Sequence, residues 1–312
     1  MEILFNILNV IKYLIYALLI IAFVIFIFLN VSPVFGASPD KNTKEIIVNS
    51  ENFFEGKFRN IKTTYTNFRT LEKKSTLKEW FFPPKDKNPL GPLPTIKFQG
   101  QDLTEGKFVW FGHSTLLMKT EGLVVMTDPV FNRASPLPSF SSKSKSSFFN
   151  GKPFVFENPI LIEDLPKVNV VIISHDHYDH LDSKAIKDLS NLVDHFIVPL
   201  GVGAHLKRWG VDKNKITELD WYESKSYKDV EFIFAPALHF SGRGITNGNS
   251  TLWGSWIVKS KSLSAYFSGD GGYSETFKKL GNEYGPFDIA FIENGAYNID
   301  WSNVHMFPDE SV

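Results

Sequence analysis

The chain has 312 residues, 43% of them hydrophobic and 15% aromatic, and a formal net charge of -1. That length allows one large or two modest domains, and so even a balance of charge excludes the basic footprint of a nucleic-acid binder. The absence of cysteine excludes disulfides and thiolate metal ligands, so any bound metal must be held by His, carboxylate or water.

Tyr13 to Val31 carries no charge and one strongly polar residue, Asn30. As a helix it would span about 28 Å, enough to cross a bilayer. Signal peptides have apolar regions of about 7 to 15 residues behind a cationic start. Here the apolar character begins at Ile3, and Glu2 offsets Lys12. The expectation is therefore a single-pass N-terminal anchor in the membrane, with export after cleavage near Gly36 to Ser38 as the alternative. Lys12 lies before the span and Lys41 and Lys44 after it, so charge does not fix the orientation. Pro33 ends the helix, and Ser38 to Lys44 reads as a short linker. The expected organisation is an anchor or signal segment at 1–38, an extension at 39–105 and a main domain at 106–312. The extension is rich in aromatics such as Phe53, Phe58, Tyr65, Phe68, Trp80, Phe81 and Phe82, which are expected to pack on that domain.

From Lys107 the spacing predicts strands at 108–111, 115–119 and 123–127 with Gly turns between them. His113, in the GHS turn, can lie near a metal or serve as a hydrogen-bonded structural residue, and is not counted as a ligand. Ser139 to Ser147 reads as an exposed loop. The stretch VNVVIISHDHYDHLD, Val168 to Asp182, sets a buried-strand pattern directly before His175, His177, Asp179 and His180. Imidazoles and carboxylates so crowded make a poor core and suit Zn²⁺, Mn²⁺ or Fe²⁺. His175 and His177 can converge on one ion while Asp179 and His180 turn toward another, so the spacing suggests two metals.

Asp182 or Ser183 can cap a helix running to about Leu192. Strands at 196–199, 216–219 and 231–234, with a helix at 204–209, continue the alternation, and His195 and His205 read as structural or exposed. Further strands are expected at 251–258, 264–267 and 288–292. His239 and Asp270 each follow a strand exit, and taken singly would read as structural.

HDHYDHLD, as His-x-His-x-Asp-His, resembles the signature of the metallo-β-lactamase superfamily. WFGHSTLLM (110–118), TDPVF (127–131), RASP (133–136), VPLGVG (198–203), ELDWYE (218–223), PALHFSGRG (236–244), LWGSW (252–256), YFSGDGGY (266–273) and GAYN (295–298) narrow the likeness. Together, over roughly residues 90–312, they resemble the N-acyl-phosphatidylethanolamine-hydrolysing phospholipase D family and its bacterial relatives. The resemblance implies an αββα sandwich of the α/β class and two zinc ions. His239 would join His175 and His177, while Asp270 would bridge to the ion held by Asp179 and His180. It implies a hydrolase acting on a lipid phosphodiester, with Asp179 and Asp270 central to catalysis and phospholipid and membrane as partners. The products would be phosphatidate and an N-acylethanolamine. His305 is expected near the substrate, and Arg243 either near the phosphate or in a structural ion pair. Metal ligands do not specify the ester, so a lactone or small phosphodiester is an alternative substrate, and a membrane-tethered regulatory protein is an alternative class. The family's last metal histidine lies in a His-Trp-Gly motif that this sequence does not contain. The expectation is therefore weak binding of the second ion. The oligomeric state is not legible.

Overall fold

The computed structural model describes residues 2–64, 89–136, 151, 153–296 and 301–312. Tyr65, Phe68, Trp80, Phe81, Phe82, the Ser139 to Ser147 loop and residues 297–298 of the GAYN segment lie outside the described residues. The chain divides into two units, Met1–Phe35 and Gly36–Val312.

The first unit is α1, Glu2–Val31, followed by a single 3₁₀ turn at Pro33–Phe35. It starts earlier than Tyr13 because nothing between Ile3 and Lys12 breaks a helix, and it ends where Pro33 removes a backbone donor. From Tyr13 to Leu29 its side chains are free of charge and largely apolar, and none of the helix's described side chains is buried. Phe5–Val31 is long and apolar enough to cross a membrane, a property that anchors and signal sequences share.

The second unit opens with an element that the sequence reading placed partly in a linker. Asp40 accepts from the Thr43 N–H at 2.9 Å and caps α2, Lys41–Asn49, which buries Thr43 and Ile47. A small hairpin follows, β1 (Phe53–Phe54) with β2 (Lys57–Phe58), and plants Phe58 fully in the core.

Two sheets form the body. The first has the order β3 (Phe108–Trp110), β4 (Leu116–Thr120), β5 (Leu123–Thr127), β6 (Val168–Ile172), β7 (Val193–Pro199) and β8 (Ile216–Leu219). Its first three strands form an antiparallel meander, and β5 through β8 run parallel. Asp182 caps α3 (Ser183–Leu189), which returns the chain from β6 to β7, and α4 (Gly203–Arg208) lies between β7 and β8. The second sheet comprises β9 (Ser224–Tyr227), β10 (Val230–Ala235), β11 (Ser255–Lys259), β12 (Ser264–Phe267) and β13 (Ile289–Phe291). α5 (Thr276–Tyr284) joins the last two strands, and a short α6 (Pro308–Ser311) follows.

The layers follow from which side chains each strand turns to which face. Val170 and Ile172 of β6 meet Phe232, Phe234, Trp256 and Phe267 between the sheets. Their neighbours Val171 and Ile173 point the other way, onto Ile186 and Leu189 of α3 and Leu206 of α4. On the far face of the second sheet, Ile233, Ile257 and Tyr266 are covered by Leu280 of α5. Helix, sheet, sheet and helix therefore stack as αββα, which is why the central strands read as unbroken apolar runs. The strand expected at 251–258 begins only at Ser255. Leu252 and Gly254 instead send their N–H groups to the carbonyls of Leu200 and Ser174, tying the sheets together at the end where the strands of the first sheet exit.

Candidate metal centre

The loop after β6 is fixed before any of its side chains is considered. Asp128, at the end of β5, accepts from the Ser174 N–H at 2.7 Å and the Ser174 hydroxyl at 2.6 Å. Trp256 donates its indole N–H to the Ile173 carbonyl at 2.8 Å. Arg243 donates from Nη1 to the carbonyls of Asp176 and Leu181, both at 2.7 Å, while the Asp176 carboxylate accepts from the Gly242 N–H at 2.6 Å. At the loop's end, Asp182 caps α3 and also receives N–H groups of Phe131 and Asn132. A loop held at both ends and in its middle presents preset side chains.

Those side chains converge. His175 Nε2 and His177 Nδ1 are 2.9 Å apart, and His239 Nε2 is 3.3 Å from the same His177 nitrogen. The other ring nitrogens face partners that fix the tautomer: His239 Nδ1 lies 3.1 Å from the Val304 carbonyl and His175 Nδ1 lies 2.9 Å from the Ser174 hydroxyl. A ring that donates through Nδ1 keeps a lone pair at Nε2, the arrangement a metal-binding imidazole needs. Burial first, and then the neighbouring imidazoles, holds His175 well below the ordinary histidine value. Burial likewise lowers His239 and His177, with the nearby carboxylates opposing. Neutral rings crowded lone pair to lone pair suit a cation between them.

Beside this trio, Asp270 Oδ2 lies 3.2 Å from His180 Nε2, 4.0 Å from His239 Nε2 and 3.9 Å from His305 Nδ1. It thus faces both groups of imidazoles. The chain reaches it through Gly269, whose φ of +57° is easy only for glycine and whose absent Cβ would stand 2.6 Å from that of Ser174. Fully buried His180 has Nδ1 2.8 Å from Asp128 Oδ2. Its Nε2 is buried and faces the Asp270 carboxylate, 3.2 Å away. A buried ring nitrogen aimed at a carboxylate fits a metal ligand. Burial works against charge on His180, but the Asp270 charge and the Asp128 bond outweigh it and raise the ring well above its usual value. The donor set therefore fits divalent transition metals: His175, His177 and His239 form one group, while His175, His180 and Asp270 form an overlapping one, with candidate ligand atoms within 4.8 Å of one another.

The remaining sequence-derived candidates fall as follows. Asp179 approaches His113 Nε2 with Oδ2 at 3.4 Å, so the GHS-turn histidine stands beside Asp179 and His180. His305 lines the cleft, with Nδ1 3.3 Å from Glu293 Oε1. Arg243 does not line it. Buried beneath the loop, its guanidinium stacks 4.2 Å from the Tyr178 ring centroid and holds loop carbonyls. Of the two roles expected for Arg243, this burial favours the structural one over a place beside a phosphate: backbone acceptors and aromatic faces enclose its charge. His205 is buried, as a structural residue would be, with Nε2 3.3 Å from Asp176 Oδ2 and Nδ1 accepting from the Ala37 N–H at 2.9 Å. His195 is half-buried against Thr217. Asp128 and Glu293 were not singled out in the sequence, since neither belongs to the histidine-rich run and only the fold brings them to it.

Above these groups opens a cleft of roughly 870 Å³. Its floor carries His177, Asp179, His239 and Asp270, and its walls include Trp110, Leu116, Phe240, Phe267, Phe291 and Ile292. A charged floor under apolar walls accommodates a molecule with a polar reacting centre and a hydrocarbon body.

Comparison with known proteins shows the family. Residues 124–312 match the beta-lactamase superfamily domain. An uncharacterized protein of Mycobacterium tuberculosis is 41% identical over 229 residues, covering 72% of this chain and 58% of that protein. The N-acyl-phosphatidylethanolamine-hydrolyzing phospholipase D 1 of Caenorhabditis elegans is 36% identical over 245 residues, covering 73% of this chain and 66% of its own length. Among solved structures, an isothiocyanate hydrolase from Delia radicum gut bacteria aligns with a TM-score of 0.48 at 19% identity, over 63% of this chain and 74% of that one. The chain spans 58% of the length of the first of these relatives.

Proposed function

The chain belongs to the metallo-β-lactamase superfamily of metal-dependent hydrolases, and from that premise and the geometry of the cleft we propose that it is a two-metal hydrolase of lipid phosphodiesters. The observation that carries the reading is Asp270 between two imidazole groups, at the floor of a cleft walled by aromatic and aliphatic side chains. The activity named for the nematode relative supplies the substrate class. Phosphatidate and an N-acylethanolamine would be the products from an N-acylated phosphatidylethanolamine.

In this reading His175, His177 and His239 would hold one ion, Asp179 and His180 would hold the other, and Asp270, which faces both groups, would serve both. Bound divalent ions such as zinc would supply Lewis acidity, lowering the pKa of a water to about 7 and offsetting charge on the phosphoryl oxygens. The chain's own part is orientation. Asp128 aligns His180 through Nδ1, the Val304 carbonyl aligns His239, and the apolar walls seat the acyl chains while keeping bulk water from the phosphate. His305, at the cleft wall within reach of Asp270, is placed to meet the substrate. α1 serves as a single-pass anchor that keeps the hydrolase at the membrane holding its substrate; 39–105 and 106–312 form the extension and the hydrolase domain.

The test is a kinetic comparison on a panel of N-acylated phosphatidylethanolamine, a short-chain phosphodiester and a lactone. The expected result is turnover of the lipid in preference to the other two, with Asp270→Asn costing far more than Arg243→Ala. Equal rates for Asp270→Asn and the parent, or turnover of the lactone alone, would overturn the assignment.

A further inference from the structure

We propose that His113, from the turn between β3 and β4, is a protein ligand of the second divalent ion, together with Asp179, His180 and Asp270. The proposal rests on the two-metal reading and extends it to a residue outside the histidine-rich loop.

Its geometry is that of a preset ligand. His113 Nε2 lies 3.4 Å from Asp179 Oδ2, and the candidate ligand atoms of His113, Asp179 and His180 all fall within 4.8 Å of one another. The ring stands edge-on to that of His180, with centroids 5.0 Å apart. Its other nitrogen, Nδ1, is 3.1 Å from the Ser114 hydroxyl, which leaves Nε2 to face the carboxylate. The backbone of His113 is left-handed, with φ of +46°, a region that histidine enters more readily than most residues with a side chain. That conformation is held by the indole N–H of Trp110, which donates to the His113 carbonyl at 2.8 Å, and by the Thr115 N–H on the Gly112 carbonyl at 3.1 Å.

An independent observation lies on the other side of the pocket. His180 Nε2 is buried, faces the Asp270 carboxylate and belongs with Asp270 to a second cluster of candidate ligands. His180 belongs both to the cluster with His113 and Asp179 and to the one with Asp270, so two imidazoles and two carboxylates make a mixed N/O donor set of the kind that borderline divalent ions accept. About half of the His113 side chain is exposed toward the cleft, so an ion held there would remain open to substrate on that side.

The experiment uses the full chain in detergent, stripped with chelator and titrated with Co²⁺, reading stoichiometry by calorimetry and ligand field by visible absorption. His113→Gly removes the imidazole while keeping a backbone that glycine adopts freely at this φ. His113→Asn, which also tolerates the left-handed region, guards against an effect of glycine's flexibility. The parent is expected to take up two Co²⁺. Both variants should keep the first with unchanged affinity and bind the second at least ~10-fold more weakly, a loss at the lower edge of what disturbing a metal's surroundings causes. Added imidazole should restore the second absorption band in His113→Gly. Two ions bound as tightly in both variants as in the parent would overturn the role of His113 and leave the two-metal reading standing. A parent chain that binds no Co²⁺ would overturn both.

Discussion

Asp128 has no solvent contact, and its two oxygens divide the work: Oδ1 accepts the Ser174 backbone N–H, while Oδ2 faces the Ser174 hydroxyl and His180 Nδ1. In Asp128→Asn the amide oxygen must stay on the backbone N–H, so its NH₂ turns toward His180 and donates to Nδ1. The imidazole proton then moves to Nε2, where it blocks the lone pair. The expected outcome is a folded protein whose second-ion affinity falls roughly 10- to 100-fold, measured by metal titration. An unchanged affinity would show that Asp128 does not set the tautomer. Arg243 makes the opposite kind of prediction. Arg243→Ala leaves two buried carbonyls without these donors and should lower stability by about 2–4 kcal/mol in denaturant unfolding, with KM for lipid little changed. A raised KM at unchanged stability would restore Arg243 to the phosphate. At this scale the sequence was legible where residues lie close together, as in His175 to His180. Asp128 was not, because only the parallel pairing of Thr127 with Ile172 carries it to the metal loop.

Strands with both faces covered announced themselves. Val170 to Ile173 has no polar face to hide, and β5 is buried at every position. Elements whose signal is polar did not. α2 looks like linker until Asp40 is seen as its cap and Ile47 as its buried anchor, and β9, with Ser-Lys-Ser-Tyr on the sheet edge, carries no apolar alternation. The strand overcalled at 251–254 is apolar for a different reason: Leu252 and Trp253 are buried while their backbones serve the junction between sheets. That junction yields an elemental prediction. Trp256→Phe keeps an aromatic ring between the sheets but removes the donor to the Ile173 carbonyl, one residue before the loop. It should cost about 1–3 kcal/mol in unfolding free energy and weaken metal binding by loosening Ser174 and His175. A variant as stable as the parent would remove this bond from the account.

For the molecule as a whole, the boundary between its two units matters more than their individual folds. The sequence reading ended the anchor segment at residue 38, yet Ala37 donates to His205, and a Cβ at Gly36 would stand 2.0 Å from the same ring. His205 in turn faces Asp176 inside the metal loop. Deleting 1–35 should therefore release a stable, soluble hydrolase unit, whereas deleting 1–38 should release one with a lower melting temperature. Equal melting temperatures would show that this contact adds nothing. Carbonate extraction of the full chain tests the anchor itself, with retention in the pellet expected and uncleaved protein in the supernatant contradicting it.

Fold, loop and cleft all bear on whether this chain holds metal through the residues that converge beneath the apolar walls. Elemental analysis of the purified full chain, beside His175→Ala, addresses that most directly. The account predicts stoichiometric transition metal, zinc, in the parent chain and its loss in the variant. A parent without stoichiometric metal, or a variant that takes up as much metal as the parent, would contradict it.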